Sequence, residues 1–155
     1  MKSVEQYIRE ISPLCQQHNF HSAVTLLKQA VSDYPKHEIL LGLLASCYQE
    51  LGISERAQDL YQNIVALNPE NYLAIHQLGL IDFQQQKWQA ALSVWEKLLL
   101  RPDDFLTKYY AALCYEQLEN PAQARLMVKA AQQAAPTDHA IYPEILELKE
   151  RLGEH

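Results

Sequence analysis

Glycine is scarce in this chain, and its four copies, Gly42, Gly52, Gly79 and Gly153, stand far apart. Without a glycine-rich loop, the backbone turns that cradle phosphates in nucleotide-binding proteins are excluded. Basic residues are thinly spread as well. The 13 Lys and Arg form no cluster of four or more and do not interleave with aromatics, and the formal net charge is -6. The electrostatic footprint of a nucleic-acid binder is missing, so nucleic acid is not an expected partner. Cysteine amounts to Cys15, Cys47 and Cys114, widely spaced and without a C-x-x-C pair. An odd count argues against a full set of internal disulfides, and ligands for a tetrahedral metal do not converge along the sequence, so the three read as small buried hydrophobes. Long apolar runs are lacking too. Met1 to Ile11 mixes charged and apolar residues, without the run of roughly 7 to 15 apolar residues that a signal peptide needs. Neither a leader nor membrane insertion is expected, and the expected compartment is the cytoplasm.

What the chain does have is a recurring punctuation mark. Pro35, Pro69, Pro102 and Pro136 follow one another at 34, 33 and 34 residues, and a small residue precedes each at a fixed place, Ala23, Ala57, Ala91 and Ala124. With 48% hydrophobic and 21% charged residues in 155, the chain has the composition of about one packed domain. Each interval reads as two amphipathic helices, the first of about 14 and the second of about 13 residues, with apolar residues three and four apart. In the second interval Leu41, Leu44, Ala45 and Tyr48 share one face, and Ala57, Leu60, Tyr61 and Ile64 another. Gly52 lies between them, where a chain reversal favours a left-handed residue. His18-Asn19, Gln86-Lys87 and Asn120-Pro121 take its place elsewhere, with Pro121 set to open a helix. Asn71, Asp104 and Asp138 are predicted helix N-caps, and His37 a weaker one. The third interval is one residue short after Ala91, which predicts a tighter connection near Leu100 and Arg101.

Period and small-residue placement together resemble the tetratricopeptide repeat family. The third repeat carries the pattern in Ile75, Leu78, Gly79, Trp88, Ala91, Trp95, Leu98 and Pro102, with Asp82 where tyrosine is usual. The fourth carries Ala111, Ala112, Tyr115, Ala124, Val128, Ala131 and Pro136, and the first keeps Tyr7, Phe20, Ala23, Leu27, Ala30 and Pro35 with Ile11 in a small slot. The resemblance implies an all-α fold, a right-handed α-α superhelix of four antiparallel helix pairs plus a C-terminal capping helix. It reads as a single domain over 1–155, with repeats 4–37, 38–71, 72–104 and 105–138 and the cap over 139–155. Ile141, Ile145, Leu148 and Leu152 on one face of that last segment suit a helix that covers the open end of a stack.

In this family the first helix of each pair lines a concave surface where ligands lie. Helical phase then places Ile39, Gly42, Ser46, Leu73, His76, Leu80, Phe83, Leu106, Tyr109 and Leu113 along a peptide-binding groove. That band is apolar where a solvated face would be polar, and it fits an apolar or amphipathic peptide, with burial by neighbouring helices as the competing reading. The Lys, Arg and Asn clamp by which some members hold acidic chaperone tails is missing, since Ile8, Ser12, Leu43, Leu73 and Gln77 stand there. Glu50, Glu116, Glu144 and Glu147 suit a partner with basic flanks, or are simply a solvated charged surface. His18 and His21 straddle a predicted turn with no third ligand, and His76 has no Ser, Cys or Asp fixed beside it by sequence, so neither metal binding nor catalysis is expected. The expected function is a non-catalytic protein-protein interaction adaptor without a cofactor. The alternatives are a small acidic bacterial secretion-type chaperone, whose long N-terminal helix is not present, and a self-associating scaffold.

Overall fold

The computed structural model describes residues 1–153. Glu154 and His155, the end of the predicted capping segment, lie outside the described residues. Among the described residues nine helices follow one another and no strand occurs: α1 (Val4–Gln16), α2 (Phe20–Asp33), α3 (Glu38–Glu50), α4 (Ser54–Leu67), α5 (Tyr72–Gln84), α6 (Trp88–Leu99), α7 (Phe105–Gln117), α8 (Pro121–Ala134) and α9 (Tyr142–Arg151). The fold is all-α. The chain divides into two compact units, Met1–Ala74 and Ile75–His155.

All four hairpins turn in the same way. His18, Gly52, Gln86 and Glu119 each adopt a left-handed backbone, with φ of 56°, 74°, 61° and 57°. Around each, two hydrogen bonds close the end of the first helix. In the second hairpin Gly52 N donates to Gln49 O at 3.0 Å and Ile53 N to Tyr48 O at 2.8 Å. The same pair recurs as His18 to Cys15 with Asn19 to Leu14, as Gln86 to Phe83 with Lys87 to Asp82, and as Glu119 to Glu116 with Asn120 to Tyr115. This is the Schellman geometry, which satisfies the orphan carbonyls of a helix C-terminus.

In the N-terminal unit, Ser3 opens α1 with a reciprocal capping box: its hydroxyl accepts from Gln6 N at 3.2 Å and its own N–H donates to Gln6 Oε1 at 2.8 Å. Successive helices α1 to α4 pack each on the next. Ala23 and Ala57 are fully buried, as close helix approach requires, and Ile11, in its small slot, is buried as well. His37 does cap α3, through Nδ1 accepting from Leu40 N at 3.4 Å. Asn71 Oδ1 accepts from Ala74 N at 3.0 Å. The Glu38 carboxylate accepts from both Asn68 and Asn71, at 2.9 and 2.8 Å, which holds it below its ordinary range.

In the C-terminal unit Asp104 caps α7 by accepting from Thr107 N at 3.0 Å, and Asn120 caps α8 with Pro121 in its first turn. Asp138 is not a cap. The last helix begins only at Tyr142, and His139 Nδ1 accepts from Ile141 N at 3.1 Å, because the segment after Pro136 first makes a turn in which His139 N returns to Pro136 O. The short third interval is absorbed at the exit of α6. There Arg101 N bonds Leu98 O three residues back, whereas Tyr34, Asn68 and Ala135 bond four residues back to Ala30, Ile64 and Ala131. Buried Lys108 donates to the carbonyls of Arg101 and Asp104 and closes that exit. At the C-terminal end Ile145 and Leu148 join Ala112, Val128, Ala131 and Ala135 in one buried cluster.

Candidate functional site

The predicted groove residues fall into two groups, one in each unit. In the N-terminal unit Ile39 and Leu73 are 60% and 71% exposed. Ser46 is exposed and Gly42 half-buried, with open space beside it: a Cβ there would meet nothing nearer than Ile64 Cδ1 at 3.9 Å. Ile39, Gly42 and Ser46 follow one another at spacings of three and four along α3 and so share a side of it.

In the C-terminal unit His76, Leu80, Phe83, Leu106, Tyr109 and Leu113 are all half-buried. Tyr109 and Leu113 pack against the cluster that contains Ile145 and Leu148, so part of each side chain belongs to the core. Burial, reinforced by the charges of Glu144 and Glu147, pushes the Tyr109 hydroxyl up. His76 and Phe83 enter a continuous set of aromatic contacts with Trp95 and Tyr110. The His76 ring stacks on Trp95 at 6.0 Å, and Tyr110 lies 5.2 Å from Phe83, 6.3 Å from Trp95 and 6.0 Å from His76. Trp88 meets Phe83 edge-on at 5.2 Å. Helical phase had not singled out Trp95 and Tyr110 for this site. The signal was Gly79, the small slot against which the Trp95 indole lies.

His76 is not alone. Its Nδ1 is 2.8 Å from the Thr107 hydroxyl oxygen, and that hydroxyl donates to Asp104 Oδ2 at 2.9 Å. With its one proton committed to the carboxylate, the hydroxyl accepts from His76, so Nδ1 carries the ring proton and Nε2 is the acceptor. Burial holds the imidazole below the usual histidine range, against the opposing charge of Asp104. Among the described residues no side-chain nitrogen or oxygen shut off from water lacks a partner, and Nε2 has none, so Nε2 reaches solvent. The trio does not make a nucleophile, because an activated hydroxyl would donate to the histidine rather than to the carboxylate. The arrangement can hold a neutral acceptor at the edge of an aromatic surface. Among the described residues no group of three His, Cys, Asp or Glu side chains is placed to hold a metal ion, and no helix is long and apolar enough to cross a membrane.

Two family models, both described as tetratricopeptide repeat, match residues 14–79 and 76–139. No curated protein matches the sequence. Several solved structures are similar in fold. A structure titled MamA 41-end from Desulfovibrio magneticus RS-1 is 18% identical with a TM-score of 0.81, over 97% of this chain and 86% of that one. MamA of AMB-1 is 22% identical with a TM-score of 0.74, over 96% and 89%. A further MamA crystal structure is 18% identical with a TM-score of 0.78, over 99% and 86%.

Proposed function

The chain belongs to the tetratricopeptide repeat family, and from that premise we propose that it is a non-catalytic adaptor that binds a segment of a partner polypeptide. In the C-terminal unit the binding face is formed by His76, Leu80, Phe83, Leu106, Tyr109 and Leu113 on α5 and α7. One observation carries this reading: a half-buried aromatic surface holds a histidine whose tautomer is fixed by Thr107 and Asp104 and whose Nε2 is left for a ligand. Aromatic rings supply apolar contact area at low entropic cost, and one oriented acceptor adds specificity for an N–H or O–H donor. Exposed Glu144 and Glu147, whose charge is felt at Tyr109, and the net charge of -6 favour a segment with apolar anchors and basic flanks.

The test uses peptides selected from a displayed random library against the full chain. Their affinities are then measured for the native protein and for the double variant Leu80→Glu with Tyr109→Glu, with circular dichroism on both. Losing a central anchor costs about 2 kcal/mol or more, so a loss of at least roughly 30-fold with helicity intact is expected. Undiminished affinity would move the site off this face, and collapse of the fold would assign both residues to the core.

A second reading, self-association, is favoured by Ile39 and Leu73, large apolar side chains at matching positions of consecutive repeats that stand mostly in solvent. Light scattering on the native chain and on Ile39→Ser with Leu73→Ser separates it from peptide binding. A concentration-dependent mass that the double change abolishes supports the scaffold, and a monomer at all concentrations removes it.

A further inference from the structure

The sequence spreads its three cysteines widely, yet the fold brings two of them into contact. Cys15, in the last turn of α1, and Cys47, in the last turn of α3, have their sulfur atoms 3.8 Å apart across a separation of 32 residues. Both are free thiols. We propose that this pair is a site of reversible oxidative modification, at which a hydroperoxide closes a Cys15–Cys47 disulfide that ties α1 to α3.

A bonded pair of sulfurs lies at about 2.05 Å, so closure asks the two thiols to approach by roughly 1.8 Å from their present contact. Their environments divide the roles. Cys15 is only half-buried, while Cys47 is almost fully enclosed. Burial, with the neighbouring Cys15, pushes the Cys47 thiol up to about 12, and a thiol held protonated is a poor first nucleophile. Cys15 is therefore the sulfur that meets the oxidant.

Its thiolate attacks the peroxide. A sulfur-oxygen bond forms, the oxygen-oxygen bond breaks, and the departing oxygen leaves as water or an alcohol with one proton, giving the sulfenic acid of Cys15. The Cys47 thiolate then attacks the Cys15 sulfur. The sulfur-sulfur bond forms, the sulfur-oxygen bond breaks, and hydroxide leaves as water with the proton that Cys47 gave up. Two thiols have lost two electrons to one peroxide, and a dithiol reductant returns them.

The bond would add a covalent tie between helices that otherwise touch only lightly, because α3 packs chiefly against α2 and α4. Cys114, fully buried in the C-terminal unit with no second thiol in contact among the described residues, is the internal control.

The experiment exposes the full chain to graded hydrogen peroxide, quenches with an alkylating agent in denaturant, and maps peptides without reduction. Intramolecular closure predicts the loss of two hydrogens, a linked peptide containing Cys15 and Cys47, one alkylated thiol at Cys114, and recovery of all three with dithiothreitol. The thermal midpoint is expected to rise on oxidation, since the link restrains the unfolded chain. Cys114→Ala should keep the link, and Cys15→Ser and Cys47→Ala should each abolish it. The native map decides the matter even if a variant fails to fold. Three thiols still alkylated, sulfinic acid at Cys15 without a link, or a disulfide between two chains through Cys15 would each overturn the proposal.

Discussion

Gly79 lies against the face of Trp95 so closely that a Cβ on it would sit 1.9 Å from the indole Nε1 and 2.2 Å from Cε2. The indole is fully buried, and its N–H donates to the His76 carbonyl at 3.1 Å. The ring is therefore held against α5 by this hydrogen bond and enclosed elsewhere, so it cannot retreat without losing both the bond and its packing. Gly79→Ala should lower stability by about 3 kcal/mol or more, at or beyond the upper end of ordinary overpacking costs. Urea denaturation with tryptophan fluorescence checks this, and an unchanged midpoint would mean that the indole does not occupy this slot.

The four left-handed hairpin residues make a second prediction that needs no contact to change. His18, Gln86 and Glu119 hold positive φ without being glycine, a conformation that costs an L-residue roughly 1 kcal/mol. Gln86→Gly and Glu119→Gly should therefore each be stabilising by up to about 1 kcal/mol, whereas Gly52→Ala should be destabilising by a similar amount. Thermal midpoints of the three single variants are the measurement. Glycine substitutions that destabilise would show that the side chains at these turns matter more than the backbone angle.

These turns also show what the sequence made legible. The proline and alanine register is local and periodic, so it revealed the helix pairs, and Gly52, His18-Asn19 and Gln86-Lys87 marked three of the left-handed turns, whereas the fourth lies at Glu119, one residue before the Asn120-Pro121 pair expected to make it, because Asn120 caps α8 and Pro121 is already helical. Apolar residues at helical spacing, by contrast, look alike whether a neighbour covers them or not. Ile39 and Leu73 stand in water, while Tyr109 and Leu113 pack under α9. The contacts that escaped sequence reasoning, His76 with Thr107 and Cys15 with Cys47, join residues 31 and 32 apart. In a repeat array, residues just under one period apart on successive first helices come face to face, and that separation was the available signal. Asp138 misled because its position in the repeat matched that of the true caps while the last helix started later.

Acidification tests the histidine and the clamp on the cap together. The His76 imidazole is held below its ordinary 6.5 by burial, and the Glu116 carboxyl below its ordinary 4.5 by its hydrogen bonds to Arg151. In both cases the unfolded chain takes up the proton first. The stabilisation is thus fully present above the unfolded value and is lost as pH falls through the folded one. Stability should decline first below about pH 6.5 and again below about pH 4.5. His76→Gln should flatten the first step and Glu116→Gln should shrink the second, to which the Glu38 carboxylate, held low by Asn71 and Asn68, also contributes, as read from urea midpoints across this range. A first step that survives His76→Gln would assign it to another group.

The last helix carries the final prediction. Ile145 and Leu148 are buried against Ala112, Val128, Ala131 and Ala135, and around them α9 is held by polar links. Arg151 forms two hydrogen bonds to Glu116, at 2.8 and 3.0 Å, Lys149 donates to Gln132 at 2.9 Å, and Arg125 donates to Leu152 O at 3.2 Å. The apolar part should dominate. Leu148→Ala removes a fully enclosed side chain and should cost about 2 to 5 kcal/mol, whereas Arg151→Ala breaks an ion pair open to solvent and should cost about 1 kcal/mol or less. Deleting 142–155 exposes the whole cluster, so the remaining helices should persist by circular dichroism while the protein binds hydrophobic dye and aggregates, as repeat stacks do without a cap. A truncated chain that stays monomeric, dye-free and equally stable would mean that α9 covers nothing the stack needs covered, and would make it an appendage available for docking elsewhere.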